Sequence, residues 1–130
     1  MNNLINVLIV EDESAIRNLL STALETNGYN YETATNGTMA LSLLTKHQFD
    51  IILLDLGLPD LDGIDIIKKL RTFSFTPIIV ISARSNDDDK ITALDIGADD
   101  YLTKPFSVEE LIGTYSLNFE KNTVQRKHIK

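Results

Sequence analysis

The chain contains no cysteine, which excludes a disulfide framework and any metal site built on thiolates. It also has no apolar run approaching the roughly 18 residues of a membrane-spanning helix, and its N-terminus does not have the pattern of a signal peptide. Only three prolines and six glycines occur among its 130 residues, without a low-complexity linker or internal repeat. We therefore expect one soluble, cytoplasmic globular domain that makes no contact with a membrane.

Basic side chains are also few, with 12 lysines and arginines against 19 aspartates and glutamates, for a net charge of -7. Binding to a nucleic-acid backbone requires a basic face, so this segment is not expected to hold DNA by itself. The hydrophobic fraction of 43% is enough to fill the core of one domain, and no second complete domain fits in this length.

Short apolar runs alternate with amphipathic segments along the chain, which is typical of a parallel sheet covered by helices on both faces. After the first run, Ser14 is a candidate helix cap and Gly28 a candidate helix end. Five β/α units are predicted. Their strands lie near residues 7–10, 29–34, 51–54, 78–81 and 101–103.

Polar side chains follow four of these strands, at the point where each strand ends. They are Glu11, Asp12, Asp55, Ser82 and Lys104. Ligands of such sheets bind beyond the carboxyl ends of the strands, where the strand order reverses. The sequence therefore predicts that these acids, the hydroxyl and the amine converge on one site.

Three carboxylates at one site repel one another and raise each other's pKa unless a divalent cation neutralises them. Mg²⁺ prefers oxygen ligands and keeps waters and phosphate oxygens in its shell, so it suits a site with few protein ligands. Asp12 and Asp55 are the expected direct ligands, with Glu11 binding directly or through water.

With charge offset in this way, an oxygen of Asp55 can attack a phosphorus atom in line and form an acyl phosphate. Lys104 would supply the opposing positive charge, and Ser82 would donate a hydrogen bond to a phosphoryl oxygen. The peptide bond before Pro105 is expected to be cis.

These residues, in this order, closely resemble the receiver domain of bacterial two-component response regulators over about residues 4–112. The resemblance rests on Glu11-Asp12, Asp55, Leu58-Pro59-Asp60, Asp62-Gly63, Ser82-Ala83, Gly97 to Tyr101 and Lys104-Pro105-Phe106. It implies an α/β, flavodoxin-like, doubly wound five-stranded parallel sheet of order 2-1-3-4-5. It further implies phosphorylation of Asp55 by the phosphohistidine of a sensor histidine kinase, with Mg²⁺ held by Glu11, Asp12, Asp55 and the Gly57 carbonyl.

The same resemblance implies a switch formed by Ser82, Tyr101 and Pro105. In the family it biases a surface made by the fourth helix, the last strand and the fifth helix, through which two copies form a homodimer. The run from Ala93 to Tyr101 is similar to the winged-helix (OmpR/PhoB-type) branch of transcription regulators. The run from Asp55 to Asp60 is most similar to Kdp-type regulators of potassium-uptake operons.

The C-terminal part departs from the family pattern after Ile112, where the chain continues directly into Gly113-Thr114-Tyr115. We expect a shortened last helix, a receiver domain over 1–112, and a tail over 113–130 that resembles the first hairpin of a winged-helix effector domain. DNA would then be contacted only through an effector domain that is missing or incomplete here. The shortened helix lacks the basic residues that would pair with Asp99 or Asp100 across the family's dimer face, which weakens the expectation of a homodimer.

Two other functions compete with a phosphoacceptor. A phosphatase of the haloacid-dehalogenase type also uses an aspartate after a buried strand, but it needs a general acid two residues later, where this chain has Gly57. Capture of a phosphoryl group without fast turnover is therefore expected, and not a dedicated enzyme. A binding-only pseudo-receiver would need no Mg²⁺, and the complete set of acids, hydroxyl and amine argues against it.

Overall fold

Strands and helices alternate along the chain in the computed structural model, which describes residues 5–114. The elements are β1 (Asn6–Val10), α1 (Ser14–Thr26), β2 (Asn30–Ala34), α2 (Gly37–Lys46), β3 (Ile51–Leu54), α3 (Gly63–Leu70), β4 (Ile78–Ser82), α4 (Asp87–Asp95) and β5 (Asp100–Thr103). A further helix, α5, occupies residues 108–114. No helix among the described residues is long and apolar enough to cross a membrane.

The five strands form one parallel sheet in the order β2-β1-β3-β4-β5. This confirms the predicted fold class and strand order. β1, β3 and β4 are apolar almost throughout because they lie inside the sheet with both faces covered. The order reverses between β1 and β3, so the carboxyl ends of these two strands flank the crevice in which such sheets bind ligands.

Side chains of each strand alternate between two cores, one on each face of the sheet. Leu8 and Val10 of β1 join the core that contains Ile67 of α3 and Ala93 of α4. Val7 and Ile9 join the opposite core, beneath α1. Leu111 of α5 is fully buried in that second core. Burial of a leucine side chain contributes about 1.5–3 kcal/mol, so this contact holds α5 against the sheet.

Local sequence signals predict some of the helix ends correctly and others wrongly. Gly28 has a φ of 83° and follows the end of α1, as predicted. The prediction that Ser14 caps α1 is wrong, because Glu13 occupies the capping position and makes no side-chain capping bond. Asn36, Asp62 and Asn86 do cap α2, α3 and α4 through their side chains.

The C-terminal part of the described chain is helical through Gly113 and Thr114, whereas the sequence pattern placed the end of the receiver at Ile112. The described portion of α5 covers about two turns. The predicted hairpin over residues 115–126 lies outside the described residues.

Candidate functional site

The backbone brings the predicted polar residues to one edge of the sheet. Glu11 follows β1, and Asp55 follows β3; the Asp55 amide donates to the Val10 carbonyl over 3.0 Å. On the other side of β3, Ser82 ends β4, and its carbonyl accepts from the Lys104 amide over 2.8 Å. These bonds extend the ladder of the sheet by one residue, so all four positions are fixed by the sheet and not by loose loops.

Three carboxylates meet at this edge. Oxygens of Glu11, Asp12 and Asp55 lie within 4.8 Å of one another. Glu11 and Asp55 are only 1% and 6% exposed, while Asp12 faces solvent. The arrangement has two buried oxygen donors and one open side, so it fits a hard divalent cation that keeps part of its water shell.

The Glu11 carboxylate carries the strongest sign that a cation belongs here. Its Oε1 atom is buried and accepts no well-directed hydrogen bond within the described residues. It does lie 2.9 Å from Nζ of Lys104, so the pair attracts through charge. Buried carboxylate oxygens are costly without hydrogen-bond partners, and a bound cation would satisfy this one.

Lys104 reaches three carboxylates with one ammonium group. Its Nζ lies 2.9 Å from Glu11, 3.3 Å from Glu13 and 3.5 Å from Asp55. The lysine side chain is only 12% exposed. The amine therefore points inward, next to the candidate nucleophile. The Lys104–Pro105 peptide bond is cis.

The electrostatics of the site reflect the burial of its charged groups. Burial raises the pKa of Glu11 to about 7, against the lowering effect of the nearby Lys104 ammonium and of the hydrogen bond from the Glu13 amide. Burial alone would lower the pKa of Lys104, but the close contact with Glu11 and the charge of Asp55 leave it raised. Lys104 thus stays protonated and partly neutralises the acids around it.

The loop after β3 is held close to Asp55. Oδ1 of Asp55 accepts a hydrogen bond of 3.2 Å from the amide of Gly57, a residue exposed to solvent. Farther along, Gly63 starts α3 directly against this loop, and a Cβ there would lie 2.6 Å from Cα of Leu56. The loop therefore curves tightly, and the Gly57 amide stands beside the Asp55 carboxylate. The role of the Gly57 carbonyl as a metal ligand stays a prediction.

Ser82 and Tyr101 are joined through one residue of the loop between β4 and α4. Ser82 Oγ accepts from the Arg84 amide over 3.0 Å, and the Tyr101 hydroxyl donates to the Arg84 carbonyl over 2.6 Å. The Tyr101 ring is only 6% exposed, and burial raises the pKa of its hydroxyl above the usual value. The predicted switch pair is therefore physically connected.

Asp60 has a structural role that sequence reasoning did not assign. Its carboxylate accepts hydrogen bonds from the Gly37 amide, the Thr38 amide and the Thr38 hydroxyl at 2.7–2.9 Å. The Thr38 hydroxyl and these two amides lower the pKa of Asp60 to about 2. Asp60 thereby fastens the loop after β3 to the N-terminus of α2, where negative charge is favoured. The Leu58-Pro59-Asp60 motif contained the residue, but no local pattern indicated its partner.

Arg71 was also missed, and it changes the prediction for Asp99. Its guanidinium donates to the Gly97 carbonyl over 2.8 Å and lies 3.1 Å from Asp99 Oδ2. The same Asp99 oxygen accepts from the Ile78 amide. Asp99, proposed from the sequence as one of two acids for a dimer face, is thus engaged within its own chain.

Comparisons with known proteins agree with this geometry. The family profile described as "Response regulator receiver domain" matches residues 7–116. The KDP operon transcriptional regulatory protein KdpE of Escherichia coli is 56% identical over 106 residues, which is 82% of this chain and 47% of that protein. KdpE of Staphylococcus aureus is 51% identical over 81% of this chain and 46% of its own length. The chain spans about half the length of the curated relatives it matches.

Solved structures are similar over nearly the whole chain. The receiver domain of Francisella response regulator 1452 matches with a TM-score of 0.85 and 38% identity, covering 90% of this chain and 98% of that one. Chemotaxis response regulator CheY4 of Vibrio cholerae matches with a TM-score of 0.83 and 34% identity, covering 88% and 98%.

Proposed function

We propose, on the premise that the chain belongs to the response regulator receiver domain family, that Asp55 accepts a phosphoryl group as the input step of a two-component phosphorelay. One observation carries the proposal. Asp55 is a nearly buried carboxylate that shares its pocket with two further acids and with the ammonium of Lys104, 3.5 Å away. A strand-end aspartate with only a structural role would not need these partners.

The reaction is a transfer from nitrogen to oxygen. An Asp55 carboxylate oxygen attacks phosphorus, the new O–P bond forms an acyl phosphate, and the N–P bond of a phosphohistidine breaks. The electron pair of that bond leaves with the imidazole nitrogen, which takes up a proton from solvent. The donor residue belongs to a sensor histidine kinase, the partner implied by the family.

The chain's own residues prepare this step. Lys104, 3.5 Å from Asp55, would pair with a phosphoryl oxygen, and Ser82, at the end of the neighbouring strand, would donate its hydroxyl to another. Glu11, Asp12, Asp55 and the Gly57 carbonyl would hold Mg²⁺. The ion would supply charge neutralisation on the transferring group.

Rapid turnover is not expected from this site. A phosphatase with an aspartyl nucleophile needs an acid or base to activate water, and the residue two positions after Asp55 is Gly57, which has no side chain. The receiver would therefore catalyse its own phosphorylation and keep the product. A pseudo-receiver is not favoured, since all of the acids, the hydroxyl and the amine are in place.

The output follows from the link between Ser82 and Tyr101 through the backbone of Arg84. When the Ser82 hydroxyl turns to the phosphoryl group, it no longer accepts the same hydrogen bond from the Arg84 amide. The backbone of Arg84 then shifts, and its carbonyl is the group that accepts the hydrogen bond of the Tyr101 hydroxyl. We propose that this switch, together with Pro105, alters the surface of α4, β5 and α5, and so regulates homodimer formation.

The broader biological role comes from the relatives. We propose that the chain acts in the cytoplasm in transcription regulation, like the Kdp operon regulators that it resembles, and that DNA is bound only through an effector domain outside the described residues. The net charge of -7 agrees with a receiver that does not itself bind DNA.

The test uses intact mass. The chain is incubated with Mg²⁺ and acetyl phosphate, alongside an Asp55→Asn variant, which is nearly the same size. One added phosphoryl group that depends on Mg²⁺ and is absent in the variant supports the proposal. No addition to the folded chain, or equal addition to the variant, would rule out Asp55 as the acceptor.

A further inference from the structure

Glu13 is the third partner of Lys104 and has no role in the proposed chemistry so far. Its Oε1 lies 3.3 Å from Nζ of Lys104, although 91 positions separate the two residues. Unlike Glu11 and Asp55, Glu13 is open to solvent, with its side chain 62% exposed. Among the described residues it does not belong to the group of acids whose oxygens lie within 4.8 Å of one another.

The Glu13 carboxylate is not needed to start α1. The residue occupies the capping position, but its side chain accepts no capping hydrogen bond there. Its backbone amide does contribute, by donating to Oε2 of Glu11 over 3.2 Å. A change confined to the side chain therefore leaves both the helix start and this backbone contact intact.

Lys104 donates hydrogen bonds to Glu13 and Asp55 and forms a close ion pair with Glu11 at 2.9 Å. An ammonium group has only three N–H donors, so little capacity is left for a further oxygen. If Lys104 is to pair with a phosphoryl oxygen on Asp55, one carboxylate must be released. Glu11 is almost fully buried, so losing its cation would be costly, and Asp55 is the acceptor itself. Glu13 is solvated and loses least, because exposed ion pairs are weak.

We infer that Glu13 is a positioning residue that holds Lys104 while Asp55 is unmodified, yields it to the incoming phosphoryl group, and discriminates against small donors of high negative charge. The inference rests on the proposed function of Asp55 and concerns the regulation of that same site.

Charge explains the discrimination. The single charge of Lys104 and the two of a bound Mg²⁺ together balance the carboxylates of Glu11, Asp12 and Asp55. Glu13 then leaves one excess negative charge on the open side of the site. A unit charge a few ångströms from an anion in water changes a rate by roughly fivefold.

The experiment compares rates of phosphoryl uptake at saturating Mg²⁺ from two donors, acetyl phosphate as a dianion and phosphoramidate, which carries less negative charge. The variants are Glu13→Gln and Glu13→Asp, with Glu32→Gln as a control that removes the same charge from the exposed edge strand β2. We expect Glu13→Gln to accelerate uptake from acetyl phosphate about three- to tenfold and from phosphoramidate clearly less. Glu13→Asp and Glu32→Gln should keep the rate of the unaltered chain.

A second readout does not depend on phosphorylation. Calorimetric titration should show that Glu13→Gln weakens Mg²⁺ binding by no more than about tenfold, as expected for a nearby charge. A loss of a hundredfold or more would make Glu13 a direct ligand of the ion and overturn the inference.

Unchanged rates in Glu13→Gln, or equal acceleration with both donors, would also overturn the inference while leaving Asp55 as the acceptor. Failure of the unaltered chain to take up any phosphoryl group would instead refute the proposed function, and this inference with it.

Discussion

Tyr101 donates its hydroxyl hydrogen bond to the backbone carbonyl of Arg84 over 2.6 Å, from a ring that is almost completely buried. The amide of the same Arg84 donates to Ser82 at the phosphoacceptor site. The two side chains thus hold the opposite backbone groups of one residue. A rearrangement at Ser82 can therefore reach Tyr101 of β5, and with it the core in which that ring is buried.

Replacement of Tyr101 by phenylalanine should destabilise the fold by about 1 kcal/mol, because it removes one hydrogen bond and leaves a carbonyl without its partner. Urea unfolding at pH 7 measures the difference. Tyr31→Phe is a suitable control, since the Tyr31 hydroxyl makes only a long, exposed bond of 3.3 Å to Glu25. Equal loss in both variants would contradict a special role for the Tyr101 hydroxyl.

The unaltered chain and Tyr101→Phe should also differ in their response to alkali. Because burial raises the pKa of Tyr101, the folded chain keeps this proton at pH values where the unfolded chain has lost it. The stabilisation is complete below the unfolded pKa of about 10 and is lost as pH rises toward the folded value. The stability advantage over Tyr101→Phe should therefore stay constant up to about pH 10 and shrink as the pH rises above it. An advantage that stays constant at all pH values would argue against the buried hydroxyl.

Lys104→Ala should separate cation binding from phosphoryl transfer. The variant loses a positive charge that lies 2.9 Å from Glu11, so Mg²⁺ affinity measured by calorimetry should stay the same or rise. Uptake from acetyl phosphate should fall at least tenfold, and the NMR signals of the Tyr101 ring should not respond to the donor. Lys90→Ala, an exposed lysine of α4, is the matched control. Normal uptake and a normal tyrosine response in Lys104→Ala would refute the assigned role.

Asp60→Asn should lower the melting temperature at pH 7, because the carboxylate accepts three short hydrogen bonds at the start of α2. The pKa of Asp60 is depressed to about 2 in the folded chain, against an ordinary value of about 3.8. This stabilisation is present above the unfolded pKa and is lost as pH falls through about 2. The gap in melting temperature between the two proteins should therefore close between pH 4 and pH 2, and a gap independent of pH would contradict this account.

Gly63→Ala tests how tightly the loop after Asp55 is packed. The added methyl group would lie 2.6 Å from Cα of Leu56 and 2.9 Å from the Asp55 carbonyl, so the backbone must move. We expect a loss of about 1–3 kcal/mol in the free energy of unfolding. Gly113→Ala meets no atom within 4 Å among residues 5–114 and lies in α5, where alanine should stabilise by about 0.5–1 kcal/mol. Similar effects of the two substitutions would contradict the packing argument.

The fold and the positions of the main candidate residues could be predicted because their signals are local. Apolar runs such as 51–54 mark buried strands, and the residue after each run must lie at the carboxyl edge of the sheet. Asp55 and Lys104 were therefore expected to be neighbours without any knowledge of their contacts. The resemblance to receiver domains then supplied the order of the strands.

The missed features are contacts between loops that are distant in the sequence. Glu13 with Lys104, Asp60 with Thr38, and Arg71 with Gly97 depend on how side chains meet after the sheet has formed. The prediction for Ser14 was wrong by one residue, because Glu13 takes the capping position although its side chain makes no capping hydrogen bond. Local preference could not reveal either kind of arrangement.

The central claim is that Asp55 carries the phosphoryl group. An acyl phosphate is reduced by borohydride, whereas an unmodified carboxylate is not, so treatment of the phosphorylated chain converts the acceptor aspartate to homoserine. Peptide mapping by mass spectrometry then locates it among the three clustered acids. The account predicts homoserine at position 55 alone, only with Mg²⁺ and donor both present. Conversion at Asp12, or at no position in a chain that has gained phosphate, would contradict it.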